Sequence, residues 1–256
     1  MHRFFSEPTD WNLPLVLLRP AEAHHLFHVL RLRQGDRLEV FDGCGRFASA
    51  VAPECPPASV LRYSGVELRV ESVSVRPPPR TQLVLVQAVA KQKAMEAIIE
   101  KATELGASRV VPFVAERSVS RVEESDVAVR IERWNRIVLN AAKQCGSMRF
   151  PVVEPVCAVA AAADRTARLA FAVVGSLERD AEPLANVLAA AGHSPVSAGL
   201  VIGPEGDLTS AELAAFRAAG ARAVSFGERT LRVETAAVHG LGVLGFWFGP
   251  NGLGSS

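Results

Sequence analysis

Up to Val75 the chain alternates apolar and polar positions in short segments, "DRLEVFDG", "RFASAV" and "GVELRVESVSV", separated by Gly, Pro and Asp turns. A period of two residues turns successive side chains to opposite faces, so these segments predict strands of a small barrel or sandwich. One stretch, "AEAHHLFHVLRL", breaks the alternation and places Leu26, Val29 and Leu30 on one side at helical spacing. The prolines of "RPPPR", Arg76 to Arg80, stiffen the backbone and remove consecutive amide donors, which predicts a linker. Beyond it the pattern changes. Apolar runs ("QLVLVQAVA", "RVVPFVA", "RLAFAVVG", "AGLVIG" and "AVSF") alternate with helical stretches near Lys93 to Leu105, near Asp126 to Gln144 and from Ser210. This predicts an α/β domain with a mostly parallel sheet covered by helices. The expected domains are 1–76 and 80–250, with "GLGSS" a frayed tail.

The first of these helices carries Met95, Ile98, Ile99, Ala102 and Leu105 as its apolar stripe and ends at Gly106, a C-terminal cap position. The second turns Ile131, Trp134, Val138 and Ala141 to one face and Arg133, Arg136, Asn140 and Lys143 to the other. Taken alone, that basic stripe reads as a solvated outer face.

Composition narrows the setting. The 256 residues are 49% hydrophobic, enough for a substantial core. No apolar run reaches the ~18 residues that a membrane helix needs. The start, "MHRFFSEPTDW", lacks the apolar centre of a signal peptide, so no membrane association and a cytoplasmic location are expected. Cys44, Cys55, Cys145 and Cys157 form no C-x-x-C pair and are expected to be reduced and metal-free. His24, His25 and His28 have ligand-like spacing, but no nearby carboxylate or cysteine pattern completes a metal site. A formal charge of +1 points to no polyanionic partner, although it leaves room for a local basic surface.

The chemistry concentrates near the end of the chain. In "LVIGPEGDLTSAEL", Leu200 to Leu213, an apolar strand end meets Gly203 and Gly206, where a ligand can approach the backbone. Thr209 and Glu212 then have the spacing of a capping box, predicting a helix from Ser210. The turn matches neither the P-loop nor the dinucleotide glycine pattern, and Glu205 and Asp207 would repel a phosphate. A positively charged ligand, or one read through backbone groups, fits better. A second strand end follows in "FGERTLRVETAAVHGLGVLGFWFG", Phe226 to Gly249. It leads through Gly227 to Leu231, Arg232, Glu234 and Thr235 and into a helix with small residues at Ala236, Ala237, Gly240 and Gly242. Two glycine-bearing strand ends this close in sequence predict adjacent walls of one pocket.

"IGPEGDLTSAEL" together with "LRVETAA" resembles the C-terminal signature of the SPOUT methyltransferases, specifically the bacterial 16S ribosomal RNA uridine N3-methyltransferases. Similar matches are "KATELGA" (Lys101 to Ala107), "ERSVSR" (Glu116 to Arg121), "QCG" (Gln144 to Gly146), "HVLRLRQGD" and "FDG". The resemblance implies an N-terminal PUA-like β-barrel that helps bind RNA, a SPOUT domain tied in a trefoil knot, S-adenosylmethionine as cofactor, and a homodimer. The partner it implies is 16S ribosomal RNA or the assembled small subunit. By motif, Val174, Gly175, Ile202, Gly203, Gly206, Gly227 and Leu231 are expected to line the donor pocket. Arg232 is expected to stabilise a uracil anion, and Glu234 to act as base or to hold Arg232. RNA contacts are expected from Arg3, Arg31, Arg33, Lys91, Lys93 and Arg117. The chain departs from the family pattern at Lys143, Ser147 and Asp207. The alternatives are a related enzyme methylating another base or a ribose hydroxyl, and a non-catalytic RNA-binding assembly protein.

Overall fold

The computed structural model describes residues 1–118, 124–192 and 194–249. The end of "ERSVSR" and the "GLGSS" tail lie outside the described residues. The chain forms two compact units, one comprising Met1–Pro78 with Ala142–Phe150, the other Pro79–Ala141 with Pro151–Ser256.

In the first unit, β1 (Arg3–Phe5), β2 (Trp11–Asn12), β3 (Leu15–Leu18), β4 (Arg37–Phe41), β5 (Arg46–Val51) and β6 (Val66–Val75) form a six-stranded sheet ordered β1-β4-β5-β6-β3-β2. The alternation seen in sequence becomes its inner face. Leu38 and Val40, Ala48 and Ala50, and Leu68 join Phe4, Val16, Leu18 and Leu26 in one core. Helices α1 (Pro20–His24) and α2 (Ala58–Tyr63) cross between strands. The phase expected for "AEAHHLFHVLRL" needs correction. After α1 the backbone widens, with the Leu30 amide donating to the His25 carbonyl five residues back at 2.9 Å. That extra residue rotates the helix face, so Leu26 and Phe27 are buried while Val29 is 57% exposed. Residues from Ala142 to Phe150 complete this unit. Lys143 pairs with Glu22 at 2.7 Å, and Phe150 packs against Phe5 and Phe41 with centroids 5.1 and 5.7 Å apart.

The second unit holds eight strands: β7 (Gln82–Ala88), β8 (Ala107–Val114), β9 (Val152–Val153), β10 (Cys157–Ala158), β11 (Phe171–Gly175), β12 (Glu182–Pro183), β13 (Ser197–Ile202) and β14 (Arg222–Ser225). Their order is β10-β8-β7-β13-β11-β14-β12, with β9 beside β8, and every pairing is parallel. The helices are α3 (Gln92–Glu104), α4 (Glu124–Cys145, its last turn belonging to the first unit), α5 (Val159–Thr166), α6 (Leu184–Ala189), α7 (Ser210–Ala218) and α8 (Val233–Phe248). Continuous apolar runs suit such a sheet because both faces of its central strands are covered. Val86, Val111, Phe113, Val174, Val201 and Phe216 fill one side.

Local rules hold where they are strongest. Gly106 ends α3 at φ +79°, and the Thr209/Glu212 capping box opens α7. Gly240 lets α8 close on the sheet, since a Cβ there would lie 2.6 Å from Leu200 Cδ2, whereas Gly242 faces open space. The basic face of α4 is solvated at Arg133, Arg136 and Asn140, with Arg133 reaching Glu96 at 2.7 Å, and only Lys143 at its end is half-buried.

Candidate active site

Sheet order explains why glycine turns scattered through the sequence converge. Strands β7, β13, β11 and β14 are consecutive neighbours, so the loops leaving their carboxyl ends stand side by side. They enclose a cleft of about 710 Å³. From the β7 side come Lys91 and Lys93, from β11 Gly175, Ser176 and Leu177, and from β13 Ile202, Gly203, Pro204, Glu205 and Asp207. The β14 loop contributes Ser225, Phe226, Gly227 and Arg229 to Val233, and α8 adds Glu234 and Ala236.

Glycine is needed at particular points. A Cβ on Gly175 would lie 2.9 Å from Phe226 Cε2 and 3.3 Å from Ile202 Cδ1, so three walls meet over that backbone. Gly227 holds φ +122°, which side-chain-bearing residues rarely adopt. Ser225 Oγ braces the same turn, accepting from the Gly227 amide at 3.2 Å and donating to its carbonyl at 3.1 Å.

The acidic residues of the β13 turn have structural partners. Glu205 Oε1 accepts from the Lys91 amide at 3.0 Å, at the start of α3. Asp207 sits at φ +61° and turns its carboxylate back to the Leu208 amide at 2.8 Å. Glu212, nearly buried, accepts from the Thr209 amide and from the Glu116 amide, both at 2.8 Å, tying the β8 loop to the start of α7. Backbone amides thus hold the carboxylates of the acid-rich turn in place, and Glu205 and Asp207 keep its negative charge on the wall of the cleft. The loop after β11 is held from outside by Arg217, which reaches Asp180 at 2.9 Å and Glu178 at 3.4 Å. That guanidinium hydrogen bond keeps the Asp180 carboxyl below its ordinary range.

Four cations, Lys91, Lys93, Arg229 and Arg232, line the cleft, and among the described residues none of their side chains is held by an ion pair. Nor do Arg232 and Glu234 pair with each other, although they are neighbours on the first turn of α8. The arrangement offers backbone groups and apolar contact from Leu177, Phe226 and Leu231 on its walls, with four cations and the carboxylates of Glu205, Asp207 and Glu234 around them.

Of the residues expected in the donor pocket, Gly175, Ile202, Gly203, Gly227 and Leu231 line this cleft, as do Arg232 and Glu234. Val174 does not, because it is wholly buried in the sheet, and the wall there comes from Ser176 and Leu177. Gly206 also stands outside, its carbonyl accepting from Arg117 Nη1 at 3.3 Å. Lys91 and Lys93, expected on an RNA surface, stand in the cleft itself. Arg3, Arg31 and Arg33 belong to the first unit, where Arg3 pairs with Glu39 at 2.7 Å. Sequence reasoning missed Arg229 and Phe226, although both flank Gly227.

A parallel sheet with a glycine-walled cleft at its carboxyl ends defines an α/β protein that binds a small molecule at the sheet edge. Residues 76–245 match the family model of the RNA methyltransferase domain, and residues 18–51 that of the RNA methyltransferase PUA domain. The chain belongs to the RNA methyltransferase family; α2 lies outside both matches. It is 34% identical to ribosomal RNA small subunit methyltransferase E of Mycobacterium bovis, over 88% of this chain and 83% of the relative. The enzyme of the same name from Bacillus subtilis is 28% identical over 96% of each chain. A crystal structure of ribosomal RNA small subunit methyltransferase E from Neisseria gonorrhoeae, bound to S-adenosyl methionine, superposes with a TM-score of 0.82. That comparison has 26% identity and covers 98% of this chain and 99% of the other.

Proposed function

We propose that the chain transfers the methyl group of S-adenosylmethionine to N3 of a uridine in 16S ribosomal RNA. The observation that carries this reading is the cleft itself, where glycine-opened strand ends and unpaired cations line one space. Its volume of about 710 Å³ falls within the range of small-molecule sites. Its apolar walls suit an adenine ring, and its loops offer backbone groups to the rest of the donor. Gly175, Ile202, Gly203, Gly227 and Leu231 would hold that donor, with Leu177 and Phe226 beside them. Bound S-adenosylmethionine supplies an electrophilic methyl group.

N3 of uracil is a weakly acidic imide and becomes nucleophilic once its proton leaves. Arg232, free of a carboxylate partner among the described residues, stabilises the negative charge that develops on the ring. Glu234, also without an ion-pair partner among the described residues, receives the N3 proton. Arg3, Arg31 and Arg33 hold RNA on the first unit, and Lys91, Lys93 and Arg229 hold phosphates of the target strand at the cleft. Arg117 contributes to the same surface while donating to Gly206. The reading includes a homodimer with trefoil-knotted subunits, acting on 16S RNA or on the assembled small subunit in the cytoplasm.

Mass-spectrometric mapping of ribosomal RNA from a strain lacking this gene tests the reaction. One N3-methyluridine should vanish from the 16S RNA and return on complementation. An unchanged map, or loss of a different modified base, overturns the assignment.

A further inference from the structure

The first unit contains a second cleft, of about 720 Å³, between α1 with its widened turn and α2. Its chemistry differs from that of the first. Tyr63, the chain's only tyrosine, stands at its edge with 79% of its surface exposed and no ring partner among the described residues. Opposite it, the rings of His24 and His28 lie 4.8 Å apart at 44°, too tilted to close on each other as a flat stack. Arg62, beside Tyr63 on α2, is exposed and forms no ion pair among the described residues. Among the described residues no carboxylate lines this cleft. The nearest acid on α1, Glu22, is already taken by Lys143 at 2.7 Å and by the Phe5 amide at 3.1 Å.

An exposed phenol ring, two imidazoles, a free guanidinium and no negative charge form a surface rich in π faces and donors. Unstacked nucleobases are bound on such surfaces: aromatic rings take the base face, imidazole and guanidinium nitrogens reach its edge, and the cation meets the adjoining phosphate. We infer that this cleft is a single-stranded RNA subsite in which Tyr63 stacks on one base, His24 and His28 contact its edge and Arg62 holds its phosphate. The inference rests on the proposed action on RNA but assigns a contact remote in sequence from the methyl-transfer residues. It also places part of the recognition on α2, a helix outside the family matches.

The test uses the full-length protein and a fluorescein-labelled oligouridylate, with affinity read by anisotropy. Tyr63→Ala should weaken binding about 10-fold, in the range measured when a stacking ring is removed. Tyr63→Phe, which keeps the ring, should bind like the unaltered protein. Melting curves establish that both variants fold, and calorimetric affinity for S-adenosylmethionine should be the same in all three. Unchanged oligouridylate affinity in Tyr63→Ala overturns the subsite. Equal loss in Phe and Ala variants also overturns it, because the hydroxyl and not the ring would then be acting. If oligouridylate affinity is unchanged but association with assembled small subunits falls, the cleft docks a protein and the RNA assignment is wrong. Failure of the unaltered protein to methylate ribosomal RNA would sink the proposed reaction while leaving the Ala-against-Phe comparison readable.

Discussion

Asp207 occupies the left-handed region at φ +61°, a conformation in which most side chains are strained. Only glycine adopts that backbone freely. Aspartate tolerates it because a short polar side chain bonds locally, here to the Leu208 amide at 2.8 Å. Asp207→Gly should therefore change stability by less than about 1 kcal/mol, whereas Asp207→Val should cost about 2 kcal/mol by losing that bond and forcing a branched side chain into the same conformation. Urea midpoints decide this, and equal stability of the Gly and Val variants would contradict it. Arg232 poses the complementary question, about chemistry instead of backbone. With no carboxylate among the described residues paired to it, its removal should lower single-turnover methyl transfer by about 10²-fold while leaving calorimetric donor affinity within a factor of two. An unchanged rate removes Arg232 from the reaction. The two expected pocket residues that fall elsewhere, Val174 and Gly206, show the limit of reading at this scale. Each lies within two positions of a lining residue, and apolar run length does not fix the residue at which a strand's last covered side chain gives way to an open loop.

At the scale of elements, the clearest sequence signals were those in which physics acts over three or four neighbouring residues. The capping box at Thr209 and Glu212, the glycine stop after α3 and the long apolar runs of β7, β8 and β13 all required no knowledge of distant partners. The two-residue strands β2, β9, β10 and β12 left no pattern to find, because a bridge that short depends on the neighbouring strand it pairs with. The widened turn after α1 was equally silent, since one inserted residue changes the face without changing composition. Glu212 joins the two kinds of information: its spacing predicts the cap, but its bond to the Glu116 amide appears only in three dimensions. Glu212→Ala would leave both partly buried amides without this acceptor, and it should cost about 1 to 2 kcal/mol. Because the same carboxylate steadies the turn that carries Gly203 and Glu205, donor affinity should fall as well. Thermal unfolding together with calorimetry checks both effects; a variant as stable as the parent would show that water replaces the carboxylate.

At the scale of the whole molecule, the order of strands in the sheet contributes more to the site than any motif does. The loops after β11, β13 and β14 come from positions 175, 202 and 225 in sequence, yet their strands are adjacent, with β7 alongside. Two nearby glycine turns suggested two walls, but no local pattern reveals that Lys91 and Lys93 stand in the same space. The membership of Ala142–Phe150 in the first unit was hidden for the same reason, its partners Glu22, Phe5 and Phe41 being about a hundred residues away. The cleft at the sheet and the one between α1 and α2 have similar volumes but different chemistry, about 710 and 720 Å³, and size alone does not say which one takes the methyl donor. Hydrogen exchange separates them. A saturating donor at about a hundred times its Kd stabilises the species it binds by about 2.7 kcal/mol, so amides of the loops after β7, β11, β13 and β14 should slow markedly. Those of α1 and α2 should keep their rates until an oligouridylate is added, when they should slow in turn. Donor-induced protection at α1 and α2 would exchange the two assignments, and with them the division of labour between the units.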